Sequence, residues 1–327
     1  MYTKMENSGV EDVCYEEEHI RKVLQVISSN FEKYFKDFIE SNAMNGLSAA
    51  DFQKLQVKFG LKPEKHKKAK DLSRNYKDII IEAIERFEKD RADYERIFDE
   101  ELLEDYEDDA DAFKSKVLRN ECPIIRKTLA NRRAKELDKY RAAFSSADAD
   151  WLLQVVTNLC IFGNEYVEEY DSETYENMKS FKEMGMELLD TDDYTAYGVI
   201  GGGIKTHMLY KVHPAQFPNR SRSAIWALWY LTDKQTFGCK TDSEFLMIDV
   251  KKSITQQNYF YPYQLFAFYA FEIYKMLKEK ASEYDVYIDP DYRYVIVDAF
   301  LEYIAEVHDS EIAFLKEQIK DGGMGYA

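Results

Sequence analysis

The feature that most restricts the fold of this chain is a long stretch, residues 61–162, that contains no glycine. Before residue 200 the only prolines are Pro63 and Pro123, and proline fits the first turn of a helix. Apolar residues recur every three or four positions in "VLQVISSNFEKYFKDFI" and again in "YKDIIIEAIERFEKDRADYERIFDEEL" (76–102), which is the period of a helix with one buried face. We therefore predict a helical arm or bundle over residues 10–145.

The composition changes near residue 146, where tryptophan first appears and apolar runs lengthen. The segment "NYFYPYQLFAFYAFEIYKML" (258–277) is dense in aromatic residues, and Pro262 stands where a helix would begin. On a helix this apolar, most rings are expected in the core rather than on a surface that stacks bases. A final helix is expected from Tyr294 to Ile319.

One short segment favours a strand, because "SEFLMIDVKKS" (243–253) is an apolar run bounded by polar residues. A second candidate strand, "YDVYIDPDYRYVIV" (284–297), could equally begin the final helix. The predicted fold class is therefore mainly α. A helical, charge-rich region, 1–145, is followed by an α-rich C-terminal domain, 146–327, with a short β hairpin.

The net charge of −17 and the 45% hydrophobic content are typical of an acidic globular chain. Such a charge disfavours nonspecific binding to membranes or nucleic acid over the whole surface, so any polyanion site must be local. No window approaches eighteen apolar residues and the start carries no apolar signal region, so we expect a cytoplasmic protein without membrane segments. The four cysteines lie far apart without a CxxC pair, and free thiols fit the same compartment.

Charge is segregated within region 1–145. Residues 62–70 and 126–141 are mainly basic, whereas "DEELLEDYEDDAD" (99–111) is acidic. Such runs usually form solvated helix faces, and the alternative is a docking surface for another macromolecule. A protein partner bound through region 1–145 is therefore left open, and an acidic surface of this kind could also mimic DNA.

A run of three glycines interrupts the C-terminal domain in "YGVIGGGIKTHMLYKVHPAQFPNRSRSAIWALW" (197–229). A Walker phosphate loop has glycine directly before its Lys-Ser/Thr pair, but here Ile204 precedes Lys205. The dinucleotide pattern G-x-G-x-x-G fails as well, since Thr206 stands three residues after Gly203. The segment before the run, "MKSFKEMGMELLDTDDYTAY", is helix-like rather than a hydrophobic strand. Both nucleotide-binding motifs are excluded.

The segment "GGGIKTHMLY" resembles the hairpin of the helix-hairpin-helix DNA-binding family, whose glycosylase members carry Gly-Val-Gly-x-Lys-Thr-Ala between two helices. Gly202 replaces the valine of that pattern and His207 replaces its alanine. The resemblance covers about residues 180–240 and implies that backbone N–H groups at a helix start approach a DNA phosphate closely. The positions that match the pattern are Gly201, Gly203, Lys205 and Thr206.

The charge of the same region favours an anion site. From Tyr194 to Thr232 there is no Asp or Glu in 39 residues, although the chain is acidic overall. We call this window the 194–232 basic island, and a basic island in an acidic protein is where a polyanion would bind. The alternative is that the segment lacks acids because it is buried. The candidate anion-binding side chains are Lys205, Lys211, Arg220 and Arg222, which give the island a net charge of +4.

Base excision lacks its catalytic residue in this chain. In the glycosylase branch of the family an aspartate that takes part in proton transfer follows the hairpin lysine by about eighteen residues, whereas "FPNRSRSAI" (217–225) contains no acid. Without a carboxylate beside it, Lys205 is a weak candidate for a nucleophile. We therefore expect no base-excision chemistry.

A metal-dependent nuclease is the alternative enzyme. Asp249 and Lys251 follow the predicted strand and Glu244 precedes it, as in an Asp/Glu-x-Lys core whose carboxylates hold Mg²⁺ or Mn²⁺ while the lysine activates water. The pattern lacks its usual first acid on a separate strand. His207 and His213 are six residues apart and do not share a helical face, so no other metal site is predicted.

Together these features favour a protein that binds the backbone of nucleic acid, DNA rather than RNA, without a cofactor. Nucleic acid is expected at the 194–232 basic island. The metal-dependent nuclease and an acidic helical adaptor between proteins are the alternatives from other functional classes.

Overall fold

The computed structural model describes residues 12–41, 69–237, 244–249 and 254–317. They are mainly helical, which confirms the predicted fold class. After a 3₁₀-helix, Asp12–Tyr15, the helices of region 1–145 bury the apolar stripes that the periodicity predicts. These helices are α1 (Glu17–Ser41), α2 (Ala69–Glu88), α3 (Arg91–Ile97), α4 (Glu100–Asp105), α5 (Ala110–Ala112), α6 (Pro123–Ala130) and α7 (Asp138–Ser146).

A π-helix, Phe113–Glu121, directly continues α5 and leads into α6. Helices of this kind are rare and occur preferentially near functional sites. Cys122 follows with an extended backbone, and Pro123 then begins α6, because a missing N–H costs nothing in the first turn. A 3₁₀-helix, Lys135–Leu137, connects α6 to α7.

The most apolar helices lie after residue 146. Every residue from Ala224 to Leu231 is buried, as are seven of the nine rings of the aromatic segment 258–277, which confirms that most of these rings belong to the core. The helices are α8 (Ala149–Glu169), α9 (Ser172–Glu176), α10 (Gly202–Val212), α11 (Arg222–Leu231), α12 (Tyr263–Glu283), α13 (Arg293–Val307) and α14 (Asp309–Glu317).

The single final helix expected from the sequence is divided into α13 and α14 at His308. The ring of His308 stacks on that of Tyr230 at a centroid distance of 3.7 Å. Its Nε2 also lies 3.0 Å from the hydroxyl of Tyr34. These contacts hold His308 from two other helices at the position where the helix breaks.

The short β hairpin consists of β1 (Leu246–Asp249) and β2 (Ile254–Gln257), which are antiparallel. Gln257 anchors β2 to α11, since its Oε1 accepts a hydrogen bond from the Trp226 indole at 3.2 Å. The other candidate strand, 284–297, instead contains a 3₁₀-helix and the start of α13.

One cluster of buried apolar residues runs through both predicted regions. The rings of Phe31 and Phe38 on α1 each lie 5.4 Å from the ring of Phe300 on α13. From α2, the hydroxyl of Tyr76 donates to the carbonyl of Leu277 on α12 at 3.2 Å. The helices of region 1–145 therefore share their core with the rest of the described chain.

The helix-like segment before the glycines forms three 3₁₀-helices, Phe181–Met184, Glu187–Asp190 and Asp192–Tyr194. Gly185 interrupts it with φ of +59°, a conformation that favours glycine. The N–H of Met186 donates to the Gln264 side chain of α12 at 2.7 Å. In a continuous α-helix this N–H would bond to a carbonyl of the preceding turn instead. Among the described helices, none combines the length and apolar character that crossing a membrane requires.

Candidate nucleic-acid interface

The three glycines stand at the start of α10, after a tight loop closed by a bridge between Ala196 and Ile200. Gly198 in this loop has φ of +81°, and a Cβ there would lie 3.0 Å from that of Ala143 on α7. The position therefore requires glycine. The 3₁₀ segment precedes the loop, in contrast to the α-helix expected on that side of a helix-hairpin-helix turn.

The N-terminus of α10 is open and has no side-chain cap. Gly201 is the N-cap residue, with extended φ of −91° and ψ of −174°. The first N–H groups of a helix have no acceptor within the helix, and Gly201 has no side chain to supply one. A Cβ at Gly201 would meet nothing within 4 Å, so this side of the turn is accessible.

Arg220 fills the space beneath Gly202. A Cβ at Gly202 would collide with the Arg220 guanidinium and lie 2.7 Å from the carbonyl oxygen of Tyr259. Arg220 is only 1% exposed; its Nη1 donates to the carbonyl of Tyr261 and lies 3.5 Å from Asp190 Oδ1. Its Nε is also buried and has no hydrogen-bond partner among the described residues.

Lys205, one turn into α10, is a second buried cation beneath the same turn and is 2% exposed. Its ammonium donates to the carbonyl of Leu189 and, at 2.8 Å, to the hydroxyl of Thr195. Burial lowers the pKa of Lys205 to about 8, an effect that Asp190 opposes and Arg220 reinforces.

The charges beneath the glycine turn do not balance. Asp190 acts on both Lys205 and Arg220, and its second oxygen also accepts the N–H of Tyr263 at 2.6 Å. Within the described residues Arg220 pairs with this carboxylate, whereas Lys205 forms no ion pair and is affected by it only at longer range. The N-terminal end of the α10 dipole adds further positive potential. A buried excess of positive charge is unfavourable unless it is compensated, and an anion at the open end of α10 would compensate it.

Two further residues of the predicted site are used inside the fold. Thr206 is buried, and its hydroxyl donates to the carbonyl of Gly202 at 2.8 Å. Lys211 is buried at the other end of α10, where its Nζ lies 2.7 Å from Asp90 Oδ1 and donates to the carbonyl of Phe87. Lys211 is therefore paired inside the fold, away from the glycine turn, and its predicted part in anion binding is not proposed further.

The ammonium of Lys205 is likewise enclosed and bonded to protein oxygens, so we do not propose that it touches a phosphate. Burial explains in part why the 194–232 basic island has no acids, as the alternative interpretation of the sequence proposed. Lys205 and Arg220 can still act on a bound anion through their charge.

Arg222, in contrast, is exposed at the start of α11. The N-terminus of α11 is already capped, since the Ser221 hydroxyl accepts the N–H of Ala224 at 3.1 Å. Lys316 of α14 lies on the same side, with its Nζ 5.4 Å from the centre of the Trp226 ring. Burial is the main cause that lowers the pKa of Lys316 to about 8, and the positive charge of Arg222 lowers it further.

Aromatic side chains border the glycine turn. A Cβ at Gly203 would lie 3.5 Å from the ring of Tyr259, and the adjacent Phe260 is 51% exposed. Before the turn, the exposed Tyr197 donates its hydroxyl to Asp192 at 2.5 Å. Exposed rings of this kind are surfaces on which unpaired bases can stack.

Sequence reasoning did not identify the groups that complete this site. Asp190 lies 30 residues before Arg220, and Tyr261 lies 41 residues after it. No spacing rule connects positions so far apart. The available signal is the acid-free window itself, because an arginine inside a buried segment must find its carboxylate outside that segment.

The residues of the nuclease alternative do not form a described site. Glu244 is buried, and its Oε1 accepts the N–H of Phe237 at 2.7 Å. Asp249 ends β1, where its backbone is paired with Ile254, and Lys251 lies outside the described residues. Within the described ranges, no three His, Cys, Asp or Glu residues are grouped so that they could hold a metal ion.

Comparisons of the chain with protein-family models, with curated proteins and with solved structures find no match. The candidate site is therefore interpreted from its own geometry, and the helix-hairpin-helix resemblance stays a hypothesis drawn from the residues of the turn.

Proposed function

We propose that the protein binds the phosphate backbone of nucleic acid, with one phosphate at the N-terminus of α10. The observation that carries the proposal is the unbalanced charge beneath the glycine turn, where Lys205 and Arg220 share Asp190. An uncapped helix N-terminus attracts anions through its N–H groups and its dipole. The resemblance of the turn to a DNA-binding hairpin favours DNA over RNA.

The groups of the turn would act in different ways. The N–H groups of Gly202 and Gly203 would donate to phosphate oxygens, as N–H groups at a helix start commonly do. Arg220 and Lys205 would add positive potential from beneath, where low solvent exposure reduces screening. Arg222 would contribute from the surface. The nuclease alternative is not proposed, because no observation on the described residues favours it.

Replacing Gly201 with aspartate should weaken binding and leave the fold intact. Aspartate is a favoured N-cap residue, and Gly201 already has the extended backbone and the open space that such a cap needs. The new carboxylate would accept the N–H groups of α10 and repel a phosphate. We expect an affinity for duplex and single-stranded DNA lower by about tenfold or more, measured by fluorescence anisotropy, with the Tm unchanged or raised.

Gly201→Ala is the matched control, since it adds a Cβ at the same position without a charge or a hydrogen-bond acceptor. Its DNA affinity should stay close to that of the parent protein, although its Tm can fall slightly because alanine is a poor N-cap. If Gly201→Asp and Gly201→Ala bind DNA equally well while both remain folded, the phosphate is not held at the start of α10.

The affinity for DNA should also fall as the pH rises through about 8. The charge of Lys205 is present below its pKa of about 8 and is lost above it, whereas phosphodiesters keep one negative charge throughout. A difference in DNA affinity between about pH 7 and about pH 9.5 therefore reports a change in the charge of the protein and not of the DNA. Lys316 ionises in the same range, so Lys205→Met should remove only part of the pH dependence. An unchanged profile in Lys205→Met would exclude Lys205 from the site.

A further inference from the structure

An exposed basic surface lies on the π-helix and on the elements that follow it. Residues 113–135 contain eight Lys and Arg but one Glu, in a chain whose net charge is −17. That residue, Glu121, is already paired with Arg96 at 3.0 Å and does not neutralise the surface. We define the basic face as the exposed cations of this stretch that form no ion pair within the described ranges: Lys116, Arg119, Arg126, Arg132, Arg133 and Lys135.

Hydrogen bonds hold the elements that carry the basic face together. Arg126 of α6 donates to the carbonyl of Asn120 in the π-helix at 3.1 Å. Arg141 of α7 donates to the carbonyls of Asn131 at 2.9 Å and Ala134 at 3.1 Å. These bonds fix residues 131–135 relative to α7. This segment, which we call the basic turn, carries three of the six basic-face cations, Arg132, Arg133 and Lys135.

The helix α7 connects the basic face with the glycine turn. The ring of Phe144 lies 5.8 Å from Lys114 Nζ and 5.6 Å from the guanidinium carbon of Arg119, which packs α7 against the π-helix. The residue before Phe144, Ala143, lies beside Gly198 in the loop before the glycine turn, where a Cβ added at Gly198 would lie 3.0 Å from that of Ala143. Both surfaces therefore adjoin the same helix of nine residues, which spans about 14 Å.

We propose that the basic face is a second nucleic-acid contact and supplies most of the electrostatic binding, while the glycine turn holds one phosphate. The inference rests on the proposed function for the identity of the partner. Exposed, unpaired Arg and Lys contact phosphates and release counterions from the backbone. Because both surfaces adjoin α7, we expect one nucleic-acid strand to contact the glycine turn and the basic face together.

The chain also offers a competing occupant. Residues 99–111 contain nine acidic side chains, all exposed, so this stretch of a second copy could bind the basic face. Nucleic acid is the better partner because it would occupy the basic face and the open N-terminus of α10 together. An acidic stretch of protein on the basic face would leave the excess charge of Lys205 and Arg220 uncompensated.

Neutralising the three cations of residues 131–135 should weaken the binding of DNA. The test variant is Arg132→Gln, Arg133→Gln, Lys135→Gln, and the matched control neutralises three exposed cations of α1, Arg21, Lys33 and Lys36. On duplex DNA each lost phosphate contact lowers the slope of log affinity against log salt by about 0.9. The basic-face variant should lose up to about 2.7 in slope and about tenfold or more in affinity, whereas the α1 variant should match the parent.

Measuring Gly201→Asp in the same series separates this inference from the proposed function. If Gly201→Asp binds DNA more weakly but the basic-face variant binds like the parent, the basic face is not a contact, and the phosphate at the glycine turn is supported. The opposite result, weaker binding by the basic-face variant beside an unaffected Gly201→Asp, supports the basic face as a contact and contradicts a phosphate at the glycine turn. Equal losses in the basic-face and α1 variants mean that only net charge matters, and the inference fails.

Two further arms identify the occupant. Titrations with RNA of the same sequence show which nucleic acid is preferred, and tighter binding of RNA overturns the preference for DNA. Sedimentation equilibrium of the protein alone tests the second copy. If no oligonucleotide binds, and self-association is abolished by the basic-face variant, the occupant is the acidic stretch of another copy and both nucleic-acid proposals fall.

Discussion

Arg220→Met should lower the free energy of unfolding by about 2–3 kcal/mol, although Arg220 stands only two residues before an exposed arginine. The substitution removes the guanidinium that donates to the buried carbonyl of Tyr261 and pairs with Asp190. Both acceptors then lose a partner, and we expect this loss to outweigh the relief of removing one of the two cations that act on Asp190. The loss should stay below that of a fully buried ion pair, because Asp190 is 33% exposed and still accepts the N–H of Tyr263.

Arg222→Met provides the comparison, since it removes the same charge from the same segment. Arg222 is exposed and forms no ion pair with the described residues, so its substitution should change the free energy of unfolding by no more than about 0.5 kcal/mol. Urea unfolding followed by tryptophan fluorescence measures both variants. A stability change in Arg220→Met as small as that of Arg222→Met would show that Asp190 and Tyr261 do not depend on the guanidinium.

The stability role of Arg220 explains why Gly201 is the better probe of phosphate binding. A substitution of Arg220 alters stability and affinity together, so a loss of binding could reflect local unfolding of the turn. Gly201 faces open space and contacts no other side chain within 4 Å. A change there acts on the N–H groups of α10 and leaves the packing beneath them intact.

The α-helices could be predicted because their signal is local. Along α1 the buried residues Val23, Ile27 and Phe31 recur every four positions, and this spacing alone identifies a helix and its buried face. The first strand of the β hairpin could be predicted for a similar reason, because the apolar run that contains Leu246 is short and ends in polar residues. The second strand, β2, lies outside both candidate segments.

The 3₁₀ segment before the glycines could not be predicted, because contacts with a distant helix determine it. Its composition favours helix, yet Gly185 adopts a left-handed conformation and Met186 bonds to Gln264, 78 residues away. The break at His308 also coincides with contacts to other helices, since the rings that hold His308 belong to α1 and α11. Local propensity is overridden where tertiary contacts decide the backbone.

The candidate site shows a related limit. The acid-free window identified an unusual segment, but a sequence does not show whether a cation is exposed or buried. Lys205 and Lys211 are both buried, and the carboxylates that balance them in part, Asp190 and Asp90, lie outside the window. Within the window only Arg222 is exposed without an ion pair to a described residue, whereas the basic face has six such cations. Four of those six lie in the run 126–141, which the sequence showed only as one charged run among several.

Asp90 pairs with one buried and one exposed lysine, so substituting each lysine shows how strongly burial controls the contribution of an ion pair to stability. Its carboxylate oxygens lie 2.7 Å from Nζ of Lys211 and 3.0 Å from Nζ of Lys127, whose side chains are 7% and 70% exposed. Lys211→Met should lower the free energy of unfolding by about 3 kcal/mol, since it also leaves the carbonyl of Phe87 without this donor. Lys127→Met should lower it by no more than about 0.5 kcal/mol.

The pH dependence of the Lys211→Met effect should identify the ion pair as its cause. Burial alone would raise the pKa of Asp90, but hydrogen bonds from Lys211 and Lys127 outweigh that effect and lower it. A carboxylate whose pKa falls on folding stabilises the fold above its unfolded pKa, and this stabilisation is lost as the pH falls through the folded value. The difference in unfolding free energy between the parent and Lys211→Met should therefore narrow in acid. Urea unfolding at neutral and acid pH measures it, and a difference that does not depend on pH would attribute the loss to packing against Phe87 instead.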